Sequence, residues 1–253
     1  MVYYPMKIIH YKKDVIFLKN NNLTKLSQDP PIFKSSRTVS SQIYGMLRDQ
    51  IRNIVLVPGT TLSEQEVANS FNVSRTPVRE SLIRLSREKL IIISPQRRTT
   101  VAKINIDRMR QERFLRESIE CATLETFILM ATDDDIDELS KNVKAQEQAL
   151  ANGDCALFLA LDDAFHAHAY HVTNNELCLQ IIGRNCFDYQ RIRVLSTIDG
   201  HSVQQTNFEQ HKQILLHIQR KEVKQALSVL HVHLRRVFDE VKELSQKYAA
   251  YFE

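Results

Sequence analysis

The chain has 253 residues, of which 43% are hydrophobic and 25% charged, as in soluble globular proteins. This length allows one large domain or two ordinary ones. No apolar run approaches the length of a membrane span, and the N-terminal residues lack the apolar core and small-residue cleavage site of a signal peptide. The composition therefore predicts a cytoplasmic protein with no membrane partner.

The charge is distributed unevenly along the chain. Residues 37–103 contain 11 Lys and Arg against 5 Asp and Glu, whereas residues 104–253 contain 17 against 23. Basic charge concentrated on one segment is expected where a protein meets phosphate. The distribution predicts a nucleic-acid-binding segment joined to an acidic second domain.

Residues 1–36 form the least informative segment. They mix tyrosine, lysine and short apolar groups without sustained periodicity, and they end in the proline-punctuated stretch QDPPIFKSS. Chain ends are ordered only where something ties them down, so we expect a flexible arm. A basic arm that touches DNA is the alternative.

Two helices joined by a tight turn are predicted between Ser63 and Leu90. Before them, apolar residues from Val39 to Ile54 keep helical spacing and predict a first helix that packs on the pair. Ser63 can cap the second helix through its hydroxyl. Ser74 opens the third, in which Val78, Leu82, Ile83 and Leu85 recur at three- and four-residue spacing.

The first turns of the third helix then present Ser74, Arg75, Thr76 and Arg79 outward. An arginine fork can bond both acceptors on a guanine edge, and hydroxyl groups and helix N-terminal N–H groups can hold phosphate. This pattern is typical of a recognition helix that enters the major groove. On these residues alone, a capped surface helix with solvated arginines is the competing interpretation.

The segment PGTTLSEQEVANSFNVSRTPVRESLIRLSREKL resembles the winged helix-turn-helix of GntR-family bacterial regulators, whose recognition segment commonly reads V-S-R-T-P-V-R-E. The resemblance implies a transcription regulator that binds double-stranded DNA. In several relatives a basic residue on the preceding helix contacts DNA, and Gln65 stands at that position here. Because glutamine can read an adenine edge, we expect a changed operator preference rather than lost binding.

A two-stranded wing is predicted after the third helix. The β-rich segments Ile91-Ile92-Ile93 and Thr99 to Ala102 flank Pro95-Gln96-Arg97-Arg98. Arg97 and Arg98 at the tip are expected to reach backbone phosphate or the minor groove. Family members usually have glycine where Arg98 stands, and Lys89 replaces the glycine of the usual E-G-L pattern.

From Ile106 onward the periodicity is helical nearly throughout, with turn signals at Thr132-Asp133, Asn152-Gly153, Thr173-Asn174-Asn175 and Asp199-Gly200. Five to seven helices with short connections predict an all-α bundle. The expected fold is thus mainly α. It has a winged helix-turn-helix at 37–104 and an α-helical effector-binding and dimerisation domain at 105–253.

Histidines carry the chemistry of the second domain. Asp162 and His166 lie one helical turn apart, a spacing that lets both reach one metal ion, although such pairs are more often helix-surface pairs. His211 and His233 lie on later predicted helices among apolar residues and could each be core histidines. Together, one carboxylate and three imidazoles form a first shell for a divalent transition metal, zinc or nickel.

This arrangement is similar to the FCD effector domain of the FadR subfamily, which has a D-x-x-F-H segment and then single histidines on its last two helices. Here those residues are Asp162, Phe165, His166, His211 and His233. The resemblance implies a metal-binding regulatory domain. No function is assigned to the other histidines, or to Cys121, Cys155, Cys178 and Cys186, which have no C-x-x-C spacing and read as reduced core residues.

Arg116 is the candidate for binding an effector. Arg116 and Glu120 match the R-x-x-x-E segment of the FCD pattern, and in relatives the arginine points toward the effector cavity. Arg116 could clamp the carboxylate of a small acid or sugar acid by a bidentate bond. The alternative is an i,i+4 ion pair with Glu120 on the helix surface. Arg191 and Arg193 are weaker candidates.

Three classes of function are compatible with parts of the sequence. The sequence favours a metabolite-responsive repressor that reads a palindromic operator as a homodimer. A metalloenzyme would use similar ligands but needs a poised general base, and no H-E-x-x-H motif is present. An architectural DNA-binding protein would not need the metal shell. We therefore expect a regulator and not an enzyme.

Overall fold

A computed structural model describes residues 38–94 and 99–253, without the side chains of 201 and 202. The chain divides into two compact units. Within the described ranges, one contains residues 38–105 and Ser245–Glu253, and the other contains Ile106–Leu244. The predicted arm at 1–36 and the wing tip with Arg97 and Arg98 lie outside the described residues.

The first unit contains three helices, α1 (Val39–Arg52), α2 (Glu64–Phe71) and α3 (Arg75–Arg87). Helix α2 begins at the predicted cap, Ser63, whose hydroxyl accepts a hydrogen bond from the Glu66 backbone N–H. It ends at Asn72, which adopts the left-handed conformation with φ 52°. The core residues contributed by these helices are all at most 3% exposed: Ile43, Leu47, Ile51, Val67, Ala68, Phe71, Val78, Leu82 and Leu85. Ile83, one of the four apolar positions whose spacing predicted α3, is 40% exposed.

A three-stranded antiparallel sheet completes this unit, with strands β1 (Thr61–Leu62), β2 (Ile91–Ile92) and β3 (Thr99–Val101) in the order β1-β3-β2. The two predicted wing strands are present. The third strand was missed because two residues are too few to show alternation. Lys89 precedes β2 with φ 59°, a conformation that favours glycine, so the departure from the usual glycine is accommodated at a cost of about 1 kcal/mol.

The end of the chain belongs with this first unit. The backbone N–H of Ile104 donates to the Tyr251 carbonyl over 2.8 Å, and that of Glu253 donates to the Ile104 carbonyl over 3.1 Å. These last residues fall within the range predicted for the helical domain, since the isolated bridge between Ile104 and Phe252 leaves no periodic pattern in the sequence.

The second unit is all α-helical. Its helices are α4 (Ile106–Met130), α5 (Asp133–Ala151), α6 (Cys155–Val172), α7 (Glu176–Asn185), α8 (Phe187–Asp199), α9 (His201–Gln219), α10 (Val223–Arg235) and α11 (Val237–Lys247), whose last turn is grouped with the first unit. All four predicted turns occur. The prediction of five to seven helices was too low, because the breaks at Cys186, Lys221 and Arg236 carry no glycine or proline.

The apolar core of the second unit joins α4, α5, α6, α9 and α10. Phe127, Phe158, Ala226 and Leu234 are fully buried in it. The same helices supply the four clustered metal-ligand candidates described below, and Arg193 of α8 contacts one of them. None of the helices in the described ranges combines the length and apolar character needed to cross a membrane.

Candidate DNA-reading surface and metal centre

The first turns of α3 form an exposed polar surface. Ser74, Arg75, Thr76 and Arg79 are all exposed, whereas Val78, one residue before Arg79, is fully buried. The burial of one side of α3 against α1 and α2 therefore leaves the predicted residues on its opposite side. This arrangement can present guanidinium and hydroxyl groups to DNA.

The N-terminus of α3 has groups that can bind an anion. Thr38 and Ser63 cap α1 and α2 through side-chain hydrogen bonds, but the side chain of Ser74 makes no such bond at α3 within residues 38–94 and 99–253. The N–H groups of the first turn and the Ser74 hydroxyl can thus bind a phosphate, which the positive end of the helix dipole favours.

Helix α2 adds two polar side chains beside this surface. Gln65 is exposed, and its Nε2 donates to Asn69 Oδ1 over 2.8 Å. Glu64 Oε2 accepts a hydrogen bond from Arg75 Nη2 over 3.1 Å. Sequence analysis named Gln65 but missed Glu64, because a pairing between residues eleven positions apart has no local signal.

Polar contacts between α1 and the end of α3 hold α3 in place. Tyr44 Oη donates to Glu88 Oε1 over 2.5 Å, and Arg48 Nε donates to Glu88 Oε2 over 3.2 Å. The Arg84 guanidinium lies 3.6 Å from the centre of the Tyr44 ring. Burial and the bond to Glu88 raise the pKa of Tyr44 to about 12, so its hydroxyl remains a donor.

The predicted metal ligands meet in the interior of the second unit. Asp162 and His166 on α6, His211 on α9 and His233 on α10 each offer one ligand atom, and these atoms all lie within 4.8 Å of one another. His166 Nε2 is 3.1 Å from His233 Nε2, and His211 Nε2 is 3.8 Å from Asp162 Oδ1. Three helices thus converge on one point.

A chain of hydrogen bonds fixes the protonation of His211. The backbone carbonyl of Leu161 can only accept, and it receives Asn142 Nδ2 over 3.1 Å. Asn142 Oδ1 then accepts from Gln146 Nε2 over 2.7 Å, which leaves Gln146 Oε1 to face His211 Nδ1 at 2.8 Å. His211 Nδ1 must therefore carry the proton, and its Nε2 presents a lone pair to the cluster.

The other two imidazoles are held in the same way. His233 Nδ1 lies 3.0 Å from Gln210 Oε1, and His166 Nδ1 lies 3.1 Å from Glu120 Oε2. In each case an oxygen acceptor outside the cluster orients the ring so that Nε2 points inward. Such outer partners are characteristic of metal-binding histidines.

Burial sets the charge of these groups. Burial, together with the neighbouring cationic groups, lowers the pKa of His211 to about 3, and it holds the pKa of His233 well below its usual range. Although burial alone would raise the pKa of Asp162, the adjacent Arg193 guanidinium and the histidines lower it to about 2. His211 and His233 are therefore neutral imidazoles beside the ionised carboxylate of Asp162, the forms that bind a metal.

This donor set fits a divalent transition metal. His211 Nε2 is fully buried and has no hydrogen-bond partner among the residues that the structure describes. A buried lone pair without a donor is costly unless something else satisfies it. The 3.1 Å between His166 Nε2 and His233 Nε2 is also close to the spacing of two nitrogens bound to one ion at about 2.1 Å each.

Arg116 lies beside the cluster, and both predictions for it are compatible. It is 3% exposed, and its Nε donates to Glu120 Oε1 over 2.6 Å, which is the i,i+4 ion pair. This pair is buried, not on the surface. Arg116 Nη1 has no hydrogen-bond partner within the described part of the chain, so one N–H edge remains for a ligand carboxylate.

Arg193, a weaker candidate in the sequence, contacts a predicted ligand directly. Its Nη2 donates to Asp162 Oδ2, and its Nη1 lies 2.8 Å from Asp163 Oδ1. Arg191 instead pairs with Asp188. The supporting residues Gln146 and Gln210 were missed because an isolated glutamine in a helix gives no functional signal.

A cavity of about 30 Å³ adjoins the cluster, with Glu120, Thr123, His166 and Tyr170 on its polar side. Apolar side chains line the rest, including Phe127 and Ile218. This volume holds water but not a sugar acid. An organic effector therefore requires the lining side chains to move.

The remaining histidines whose side chains are described bond away from the cluster. His168 Nε2 lies 2.9 Å from the Asp135 carbonyl, His217 Nδ1 lies 2.7 Å from Glu222 Oε2, and His231 Nδ1 lies 2.6 Å from Glu117 Oε1. Partly exposed His171 lies 3.8 Å from Glu176. All four cysteines are free.

Comparison with known proteins agrees with this two-part arrangement. Residues 39–101 match the family of bacterial regulatory proteins called the gntR family, and residues 113–236 match the FCD domain. The chain is 32% identical to the HTH-type transcriptional regulator YdfH of Escherichia coli O6:H1, over 90% of this chain and 97% of that protein. It is also 32% identical to the HTH-type transcriptional repressor RspR of Escherichia coli K12, over 86% and 95% of the two chains.

The fold is likewise similar to that of a solved structure. Escherichia coli McbR/YncC aligns with a TM-score of 0.69, covering 84% of this chain and 99% of that one at 20% sequence identity. At this identity the likeness is one of fold.

Proposed function

Since the chain belongs to the GntR family of bacterial transcription regulators and carries an FCD domain, we propose that it is a repressor whose operator binding responds to a metabolite at a metal-assisted site. The family consists of DNA-binding regulators, so the chain is not an enzyme and the metalloenzyme alternative is wrong. The architectural alternative is disfavoured by the FCD domain. Repression is proposed because a relative of similar length is named a repressor.

The proposed DNA contacts are Arg75 and Arg79 with base edges, and Ser74, Thr76 and Gln65 with phosphate or bases. Their common exposure around the uncapped start of α3 supports this assignment. One recognition helix reads only a few base pairs, so two copies related by a twofold axis would read a palindrome. Such a regulator would be located in the cytoplasm together with its operator DNA.

The observation that carries the regulatory proposal is the inward direction of three histidine Nε2 atoms, each on a ring held through Nδ1 by another side chain. Asp162, His166, His211 and His233 would hold zinc or nickel, and the ion would supply a Lewis-acidic site for a carboxylate. Arg116 would bind that carboxylate through the N–H edge that Glu120 leaves unused. A small carboxylate would require less movement of the side chains that line the cavity than a sugar acid would.

Binding at this site would connect α4, α6, α9 and α10, because each supplies a ligand or the clamp. It would change operator affinity only if the two DNA-binding states of the dimer differ in effector affinity. The test is a metal-resolved crystal structure of the purified protein, with any co-purified small molecule identified by mass spectrometry. An ion on these four residues and an organic acid against Arg116 are expected. The proposal would be contradicted if a metal-free, correctly folded protein still changed its operator affinity when the effector was added.

A further inference from the structure

Glu64 and Arg75 form a salt bridge across the helix-turn-helix. Arg75 Nη2 lies 3.1 Å from Glu64 Oε2, and the two side chains are 64% and 31% exposed. Glu64 is the first residue of α2, and Arg75 is the first residue of α3. The bridge therefore joins the first turns of the two helices, next to the surface proposed to meet DNA.

The geometry leaves most of the arginine available. A guanidinium carries five N–H donors, and the bond to Glu64 uses one of them. A guanine edge offers two acceptors, which take two N–H groups from one side of the fork. Glu64 can thus hold one side of the Arg75 guanidinium while the other side reads a base.

The carboxylate also acts on the surrounding DNA. An ionised Glu64 beside the groove repels phosphate, and this repulsion weakens every complex in which Arg75 does not make its base contact. Specificity is a difference between two affinities, so penalising the wrong complexes raises it as effectively as improving the right one.

We propose that Glu64 is a specificity-determining residue that positions Arg75 for a guanine and disfavours non-specific duplex. This inference rests on the proposed assignment of α3 as the recognition helix. It differs from the simpler role of Glu64 as a first-turn acid that stabilises α2 through the helix dipole. Glu66 permits a direct comparison, because it lies in the same first turn, carries the same charge and is exposed.

The experiment uses the purified full-length chain and a randomised pool of DNA duplexes. The duplex that the wild-type protein selects serves as the operator, and a scrambled duplex of equal length serves as non-specific DNA. The ratio of the two affinities is measured for the wild type and for E64A, E66A, R75A and the E64A/R75A double variant. Circular dichroism checks that each variant is folded.

We expect E64A to lower the ratio roughly two- to fivefold, the range that an exposed charge pair allows, and to raise affinity for the scrambled duplex. R75A should lower the ratio at least about fivefold. The double variant should be no less specific than R75A alone, because Glu64 acts through Arg75. E66A should change both affinities equally and leave the ratio unaltered.

Three results would overturn the inference, and they separate a failure of the role of Glu64 from a failure of the recognition-helix assignment. If the effects of E64A and R75A multiply in the double variant, or if E66A lowers the ratio as much as E64A, Glu64 does not act through Arg75. If R75A leaves the ratio of the two affinities unchanged, the assignment of α3 as the recognition helix is wrong. The proposed role of Glu64 is then also wrong, because it depends on that assignment.

Discussion

The Oε1 atom of Gln146 lies 2.8 Å from Nδ1 of His211 and thereby decides which nitrogen of that imidazole is available. Gln146 is itself held by Asn142, and Asn142 by the Leu161 backbone carbonyl. The orientation of a proposed metal ligand on α9 is thus determined by a helix, α5, that contributes no ligand.

Replacing Gln146 with leucine should weaken metal binding without removing a ligand. The His211 ring would lose the acceptor that fixes its tautomer, and loss of such a partner typically costs about 10- to 100-fold in metal affinity. Competition against a chromophoric chelator measures this change. The control is Q148L on the exposed side of the same helix. Equal affinities for the two variants would show that Gln146 plays no part.

The metal-free protein should lose stability as the pH falls below about 6.5. The pKa of His211 is about 3 in the folded protein, below the usual value of 6.5, so the unfolded chain binds more protons between these values. Each such histidine removes about 1.4 kcal/mol of unfolding free energy per pH unit in this window. The depressed pKa of Asp162 adds a further loss below about pH 4.

Urea unfolding with a chelator present, at pH 7 and pH 5, measures this slope. In H211Q the slope should be smaller by about 1 kcal/mol per pH unit between these two pH values, because the unfolded chain gains most of this proton only below pH 6.5. H171Q, which removes a partly exposed histidine outside the cluster, is the control for the substitution itself. A slope in H211Q equal to that of the wild type would mean that His211 is protonated in the fold.

Arg75 should contribute base-specific affinity. R75A is expected to cost about 1–3 kcal/mol at the selected operator and to blur the preference at one base position. The matched control is R87A, which removes an exposed arginine from the last turn of the same helix. Fluorescence anisotropy titrations give both affinities. If the two variants lose the same affinity, the loss reflects net charge and not recognition.

Arg97 and Arg98 of the wing should contribute mainly sequence-independent affinity. Each phosphate contact releases counterions, so replacing both residues with alanine should flatten the plot of log affinity against log salt by up to about two units of slope. Preference between the operator and the scrambled duplex should change little. An unaltered slope would assign both side chains to solvent.

Sequence reasoning succeeded where periodicity or a long motif was available. The helices of both units, the cap at Ser63 and the two wing strands follow from apolar spacing and turn residues. Strand β1 did not, because it is two residues long and is defined by its partner β3. The breaks at Cys186 and Lys221 were missed because neither residue is a glycine or proline, although Lys221 adopts the left-handed conformation with φ 55°.

The same distinction holds for the candidate sites. The convergence of Asp162, His166, His211 and His233 was predictable, since the D-x-x-F-H segment and the two later histidines resemble the FCD pattern. The side chains that orient them were not. Gln146 is 65 positions from His211, and Arg193 is 31 positions from Asp162. Such contacts depend on how helices pack, which a single sequence does not encode locally.

The central claim is that buried histidines of the second unit hold a metal that the effector response requires. The most direct test is the metal content of purified H211A by inductively coupled plasma mass spectrometry, with H217A on the same helix as control and operator affinity measured in parallel. The account predicts about one ion per chain in the wild type and H217A, a large loss in H211A, and near-normal operator affinity in all three. Stoichiometric metal in H211A, together with a normal response to the co-purified effector, would contradict it.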